Sequence, residues 1–271
     1  MRKIRFAIRM FDHPAWKPHA KATGPGSWFL FLAGSDMYRK RVVSFIDGLN
    51  LYHAIAGLQR PELKWLDLRA LSGVFLKPHS EFLTEVFYFS SYASHIDGAI
   101  QSQKSLIKAL EFKSVKTILG HFKKKNRKCP KCRHQWMGHE EKETDVNIAL
   151  FLLDLAYQNG FDRALVISND SDLVPAIKIV RQRFPEKSIT TVAPPHCLHS
   201  NELIQVSSDK SKIQVKHLER CLLPPVVVDH SGQNIVSCPQ EYAPSLPMSK
   251  ILKKVEKKIH IENLAKERLK K

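Results

Sequence analysis

The segment Val42-Val43-Ser44-Phe45-Ile46-Asp47-Gly48-Leu49-Asn50-Leu51 decides the fold that this sequence predicts. Its apolar, β-branched part, Val42 to Ile46, has the length and composition of a parallel strand that is covered on both faces. Asp47 follows at the carboxyl end of that strand, where open α/β sheets gather their ligands. Gly48 then supplies a turn, and Asn50 stands at the start of a helix. The segment therefore predicts an α/β sheet with a carboxylate at its functional edge.

Strands and helices alternate after this segment, which is typical of a parallel sheet with crossover helices. We predict further strands over residues 84–90, 114–121, 164–167 and 188–193, with one more extended piece near 213–215. We predict helices over residues 49–56, 66–76, 96–112, 145–158, 173–184 and 201–206. The expected architecture is a Rossmann-like parallel sheet flanked by helices, with a basic, cysteine-containing insert loop over 122–144.

The two ends of the chain differ from this central domain, which we place at residues 37–222. Residues 1–36 mix His, Pro, Trp and Gly without periodicity, so we interpret them as a disordered arm or as a mis-assigned extension before a true start at Met37. Residues 223–248 are rich in Pro and Ser and predict a linker. Residues 249–271 predict a basic helical tail, either solvated or lying along nucleic-acid phosphates.

Composition and net charge limit the kinds of partner and the cellular compartment that the sequence predicts. The formal net charge of +17 favours a polyanionic partner, nucleic acid before an acidic membrane surface. The five cysteines are odd in number and irregularly spaced, so we expect no disulfide framework and a reducing, cytoplasmic setting. The longest apolar run near the N-terminus, residues 28–33, is too short for a membrane span of roughly 20 residues. It is also too short for the apolar region of a signal peptide, about 7–15 residues.

Four aspartates, Asp47, Asp145, Asp170 and Asp172, follow predicted strands or open a helix. Parallel strands end at one edge of a sheet, and the loop before residue 145 starts from that same edge, so all four acids converge. Clustered carboxylates raise one another's pKa and are unfavourable without a cation. Hard oxygen ligands suit Mg²⁺ or Mn²⁺, and a metal held this way can orient water for phosphodiester hydrolysis. The alternative for Asp145, Asp170 or Asp172 taken singly is a helix cap.

Three segments carry a resemblance to a known family: Ile46-Asp47-Gly48-Leu49-Asn50-Leu51, Glu141-Lys142-Glu143-Thr144-Asp145-Val146 and Val166-Ile167-Ser168-Asn169-Asp170-Ser171-Asp172-Leu173. The order and spacing of these segments, over about residues 41–195, resemble those of the NYN domain family. This family belongs to the PIN-like nucleases, and the segments are most similar to its LabA-like branch. The resemblance implies a PIN-like fold and a Mg²⁺- or Mn²⁺-dependent ribonuclease.

The resemblance also implies roles for single residues. Asp47, Asp145, Asp170 and Asp172 correspond to the metal-binding acids, and Asn50 joins them as a supporting catalytic residue. Ser168 corresponds to a second supporting polar residue, which we group with Lys142 on the substrate side. Lys142 matches a basic family position that faces the scissile phosphate.

The insert contains Cys129-Pro130-Lys131-Cys132, a pair of cysteines with zinc-ligand spacing. His134, His139 and His121 are the nearest side chains that could complete a structural Zn²⁺ site, and the alternative is a loop held by small turn residues. The insert also carries basic residues and an aromatic one: Lys123, Lys124, Lys125, Arg127, Lys128, Lys131, Arg133 and Trp136. Such interleaving suits single-stranded nucleic acid, so we predict a substrate-guiding flap; the alternative is a solvated basic loop.

The function that these observations predict is a metal-dependent endoribonuclease acting on single-stranded RNA. RNA rather than DNA follows from the family resemblance. An RNA-binding module without turnover is the alternative, and the expected partners are RNA and, in a homo-oligomer, further copies of the chain. A phosphatase of the haloacid dehalogenase type needs a second aspartate where Leu49 stands, and no P-loop motif is present.

Overall fold

The computed structural model describes residues 39–92 and 99–243. The predictions made for residues 1–36, the arm or mis-assigned extension, lie outside these residues. So does the prediction of a basic helical tail over 249–271.

Six parallel strands form the central sheet, in the order β3-β2-β1-β6-β7-β8. Their bounds are β1 Lys40–Asp47, β2 Glu81–Ser90, β3 Lys116–Leu119, β6 Arg163–Ile167, β7 Ser188–Ala193 and β8 Asp209–Lys212. The helices are α1 Gly48–Ala56, α2 Leu68–Gly73, α3 Ala99–Phe112, α4 Thr144–Tyr157, α5 Val174–Arg183, α6 Asn201–Val206 and α7 Val215–Arg220. The prediction of a parallel sheet flanked by helices is confirmed.

The central strand β1 is buried on both faces, because successive side chains of a strand point to opposite sides of the sheet. Val42 and Ile46 join the apolar core on one face, together with α1 and α2. Val43 and Phe45 join the core on the other face, which α4 and α5 cover. The continuous apolar run in the sequence therefore reflects burial between two layers of helices.

The insert predicted as a loop is an antiparallel hairpin of β4 His121–Lys128 and β5 Gln135–Lys142. Residues 123–128 and 131–137 are exposed on both faces of this hairpin. Its strands therefore lack the alternation of apolar and polar residues that identifies a half-buried strand, and the sequence pattern missed them.

The prediction for residues 209–220 was wrong in detail. The extended piece expected near 213–215 lies earlier, as the edge strand Asp209–Lys212, and the helix Val215–Arg220 was not expected. The sequence Asp-Lys-Ser-Lys of this strand is polar because the strand pairs on one side only and is largely exposed. An apolar pattern could not reveal it.

The segment predicted as a linker over 223–248 is folded as far as the structure describes it. Strands β9 Val226–Val228 and β10 Asn234–Ser237 form a second hairpin, followed by a 3-10 turn Gln240–Tyr242. This segment packs on Trp65, whose indole nitrogen donates to the Pro224 carbonyl at 2.8 Å. The prolines described here flank the two short strands, Pro224 and Pro225 before β9 and Pro239 after β10, which is why composition alone suggested a linker.

All five cysteines lie in the described part of the chain, and none of them forms a disulfide there. No helix among the described residues is both long enough and apolar enough to cross a lipid bilayer.

Candidate active site

The order of the strands creates a crevice between β1 and β6. Strands β2 and β3 extend the sheet on one side of β1, whereas β6, β7 and β8 extend it on the other. Connections leave the carboxyl ends of such neighbouring strands in opposite directions, and ligands of open α/β sheets bind at this reversal. Asp47 is the last residue of β1, and Ser168 directly follows β6.

Asp47 is buried in this crevice, with 4% of its surface exposed. The backbone N–H of Asn50 donates to its Oδ1 at 2.9 Å, and the hydroxyl of Ser168 donates to its Oδ2, also at 2.9 Å. Asp47 therefore also caps α1. Burial raises the pKa of Asp47, and the nearby charges of Asp170 and Glu141 act in the same direction, against the two hydrogen bonds.

Gly48 is required where α1 leaves the strand. A Cβ atom at this position would lie 2.6 Å from the carbonyl oxygen of Phe89 and 2.6 Å from the ring of Tyr88. Only glycine allows the chain to pass so close to β2 while it turns into the helix that Asp47 caps.

Three further aspartates gather at the mouth of the crevice. Carboxylate oxygens of Asp145, Asp170 and Asp172 all lie within 4.8 Å of one another. Asp145 lies in the first turn of α4, whereas Asp170 and Asp172 lie in the segment that follows β6. Asp47 is not part of this group, so three rather than four of the predicted metal-binding acids come together directly. Asp170 also caps the short 3-10 turn that follows it, because its Oδ1 accepts from the Asp172 backbone N–H at 2.9 Å. A cap was the alternative role predicted for this residue.

Ser168 connects the buried acid to the exposed group. Its Oγ donates to Asp47 and accepts from the backbone N–H of Asp170 at 3.1 Å. Ser168 is 1% exposed, so it supports the acids from below and does not face a substrate, contrary to its grouping on the substrate side.

Two asparagines tie the surrounding loops together. Asn50 Oδ1 accepts from the backbone N–H of Asn169 at 3.1 Å, and Asn169 Oδ1 accepts from that of Ser200 at 2.7 Å. Ser200 in turn caps α6. These bonds hold the start of α1, the segment after β6 and the loop before α6 in one arrangement.

The group of aspartates is electrostatically unfavourable without a cation. Burial, followed by the charges of Asp47 and Asp170, raises the pKa of Asp145 to about 6. The donor set consists of carboxylate oxygens only, at separations that one ion could bridge. It therefore fits a hard divalent cation, whose charge would remove the repulsion.

Glu141 is a further acid beside this group, and the sequence interpretation gave it no role. Its Oε1 accepts from the Ser91 hydroxyl at 2.9 Å and from both the backbone N–H and the hydroxyl of Thr144. Its charge contributes to the raised pKa of Asp47 and of Asp145. Glu141 stands four residues before Asp145, but it belongs to the hairpin strand that the pattern missed.

Lys142 lies on the opposite face of β5 from Glu141, because consecutive residues of a strand alternate. Its Nζ pairs with Glu140 Oε1 at 3.0 Å, and Lys125 Nζ pairs with Glu140 Oε2 at 2.8 Å. Lys125 and then Lys142 hold the pKa of the Glu140 carboxyl at about 2. The structure thus places Lys142 in an ion pair with Glu140, on the opposite face of the strand from Glu141. The other predicted substrate-binding residues, Lys123, Lys124, Lys125, Arg127, Lys128, Arg133 and Trp136, are exposed along the hairpin.

Cys129 and Cys132 lie at the tip of this hairpin. Within residues 39–92 and 99–243, the three aspartates form the one group of at least three metal-type side chains, so none of His121, His134 and His139 completes a site with the two thiols.

Comparison with known proteins identifies the family. The NYN domain model matches residues 41–211, well over half of the chain and beyond the 41–195 expected. The chain belongs to the NYN domain family. Membership places its fold among the PIN-like nucleases.

Other comparisons add little about function. The crystal structure of a protein of unknown function from Vibrio parahaemolyticus RIMD 2210633 is similar to this chain, with 17% sequence identity and a TM-score of 0.48. The alignment covers 70% of this chain and 99% of that one. No curated protein matches the sequence.

Proposed function

We propose that this NYN domain protein is a metal-dependent endoribonuclease that hydrolyses phosphodiester bonds of single-stranded RNA. The observation that carries the proposal is the group of Asp145, Asp170 and Asp172, with oxygens within 4.8 Å of one another, above the buried Asp47. A nuclease fold and a carboxylate site at the strand reversal agree with the same chemistry.

The aspartates would hold Mg²⁺ or Mn²⁺. Such an ion, when bound, supplies positive charge beside the scissile phosphate and makes a nearby water more acidic. Asp145, Asp170 and Asp172 provide the oxygen ligands. Asp47 fixes the hydroxyl of Ser168, which fixes the backbone of Asp170. The buried residues therefore place the ligands before the ion and the RNA arrive, and this pre-organisation is what electrostatic catalysis requires.

The hairpin provides a basic path toward these acids. Residues paired across antiparallel strands point to the same face, so Glu141 shares its face with Phe122. Toward the tip, the same face carries Lys124 opposite His139 and Lys128 opposite Gln135. A strand of RNA lying on this face would meet Lys128 and Lys124 on its way to the aspartates.

The other face of the hairpin offers stacking surfaces. Trp136 is 45% exposed, and its ring lies 6.2 Å from that of His134 at an interplanar angle of 16°. Arg127 lies across Gly138, since a Cβ there would be 3.0 Å from its Nε. Indole, imidazole and guanidinium planes are the groups on which unpaired bases stack, which favours a single-stranded substrate.

Cleavage of end-labelled single-stranded RNA, with a DNA of the same sequence in parallel, tests the proposal in Mn²⁺, in Mg²⁺ and in EDTA. We expect cutting of RNA in either metal, none in EDTA, and none with the Asp170→Asn/Asp172→Asn variant. Asp154→Asn is the matched control, because Asp154 is an exposed residue of α4 whose carboxylate accepts from the Gln158 side chain of the same helix.

Two outcomes would contradict the proposal. Binding of RNA without cutting in any metal would leave the RNA-binding module as the function. Cutting that persists in the double variant would place the reaction elsewhere on the molecule.

A further inference from the structure

The tip of the β4–β5 hairpin carries two thiols that the nuclease chemistry does not use. Cys129 directly follows β4, and Cys132 lies in the turn after it. The residues around them are exposed, and an isolated two-stranded hairpin is only marginally stable in water. This tip therefore lacks a core, and a bound metal ion would stabilise it.

The tip is a tight turn over residues 130–132, which directly follows Cys129 and contains Cys132. The turn is closed by a bond from Cys129 N–H to the His134 carbonyl at 2.8 Å and one from Arg133 N–H to the Cys129 carbonyl at 2.9 Å. Arg133 has a left-handed backbone with φ of 58°, which allows the chain to turn back.

The described residues supply only half of a structural zinc site at this tip. Structural zinc takes four ligands in a tetrahedron. In the described part of the chain, no third Cys, His, Asp or Glu side chain lies within metal-sharing distance of these two thiols. The remaining cysteines, Cys197, Cys221 and Cys238, are all described and none belongs to such a group.

We propose that the hairpin tips of two copies of this chain share one Zn²⁺ ion, with Cys129 and Cys132 of each copy as the four ligands. The two copies would be related by a two-fold axis through the ion, the commonest symmetry of protein dimers. Each copy contributes two ligands and neither site is complete alone.

The charge of the tip suits this arrangement. Lys128, Lys131 and Arg133 are neighbours of the two cysteines in sequence and are exposed, so two such tips repel each other. A zinc ion with four thiolates carries about two net negative charges. Between the two tips, the negative charge of this zinc tetrathiolate offsets the repulsion and is stabilised by the surrounding lysine and arginine side chains.

The shared ion leaves the aspartates accessible. Six residues of β4, 123–128, separate Phe122, which pairs with Glu141, from the tip, a distance of roughly 20 Å along an extended strand. The zinc proposal is therefore independent of the nuclease proposal, and either can fail alone.

Native mass spectrometry of the full-length protein tests the shared site, combined with light scattering during Zn²⁺ titration in a phosphine reductant. We expect the mass to double from the 31.0 kDa of one chain with uptake of about one zinc ion per two chains, and EDTA to reverse both. The Cys129→Ser/Cys132→Ser variant should stay monomeric and bind no zinc at this stoichiometry, with an unchanged circular dichroism spectrum. Cys197→Ser should behave as wild type. Co²⁺ in place of Zn²⁺ should give the absorption spectrum of a tetrahedral tetrathiolate.

Three results would overturn the proposal. One zinc ion per chain at the monomer mass, with a Co²⁺ spectrum of mixed sulfur and nitrogen ligands, would mean that the chain completes its own site. A dimer that a reductant separates and EDTA does not would be a disulfide. A monomer without bound zinc would show that the thiols bind no metal.

Discussion

The aspartate site and the β4–β5 hairpin adjoin each other but are built in opposite ways. Asp47 and Ser168 are almost fully buried. Their side chains are hydrogen-bonded to each other and to the backbone N–H groups of Asn50 and Asp170. The hairpin residues 123–128 are exposed and are held mainly by the opposite strand. Placing ligands around an ion requires accuracy, which buried hydrogen bonds provide, whereas attraction of a polyanion requires only charge. The comparison predicts that substitutions in the two regions affect different steps.

The largest effect should come from the buried acid. Asp47→Asn should lower the cleavage rate of saturating RNA by about 10³-fold or more, because an amide cannot keep both acceptor bonds or the negative charge. RNA affinity should stay within about twofold, since the residue is buried. Single-turnover cleavage and filter binding measure the two quantities, with Asp154→Asn as control. A loss of less than about tenfold would mean that Asp47 does not position the site.

A smaller effect of the same kind is expected at Ser168. Ser168→Ala removes a donor to Asp47 and an acceptor for the Asp170 backbone, so the cleavage rate should fall by about 10–100-fold and the free energy of unfolding by about 1–3 kcal/mol. Higher Mn²⁺ should restore part of the rate, because the ion then organises Asp170 itself. Ser188→Ala, whose serine lies at the opposite edge of the sheet, is the control. Equal rate losses for the two variants would remove the special role of Ser168.

The hairpin should affect binding and not the chemical step. Lys124→Ala/Lys128→Ala should weaken RNA binding by about tenfold and reduce the slope of log affinity against log salt by about 1.4, because two phosphate contacts are lost. The cleavage rate of bound RNA should not change. Lys104→Ala/Lys108→Ala removes the same charge from the exposed side of α3 and should change neither quantity. A reduced rate at saturating RNA would show that the hairpin takes part in catalysis.

The smallest effect concerns stability. Asp145 has a pKa of about 6 in the folded protein, above its ordinary value of 3.8. Its ionisation therefore destabilises the metal-free fold progressively as the pH rises from 3.8 to about 6, and the full effect is present above that pH. Metal-free Asp145→Asn should therefore melt a few degrees higher than wild type at pH 7, and the difference should shrink as the pH falls toward 5. Mn²⁺ should raise the melting temperature of wild type more than that of the variant. Calorimetry measures both, and a pH-independent difference would contradict the explanation.

Much of the central sheet could be predicted from sequence, because β1, β6 and β7 are buried on both faces and appear as short apolar runs. The approach of Asp145, Asp170 and Asp172 could also be predicted, since parallel strands place their carboxyl ends at one edge. The hairpin could not, because its exposed strands lack any apolar alternation, and Glu141 was missed with it. Nor could the folding of residues 223–243, whose packing on Trp65 depends on contacts distant in sequence.

The pairing of β4 with β5 decides which side chain of the hairpin faces the aspartate site. Glu141 faces Ser91 and Thr144 because it pairs with Phe122, and that pairing follows residue by residue from the turn that contains the two cysteines. Side chains of a strand alternate, so a slip of one position would turn Glu141 to the outside and Lys142 inward. Insertion or deletion of a single residue in the turn would then exchange an acid for a base beside Asp145. The length of a surface turn roughly 20 Å away thereby sets the sign of one charge at the site.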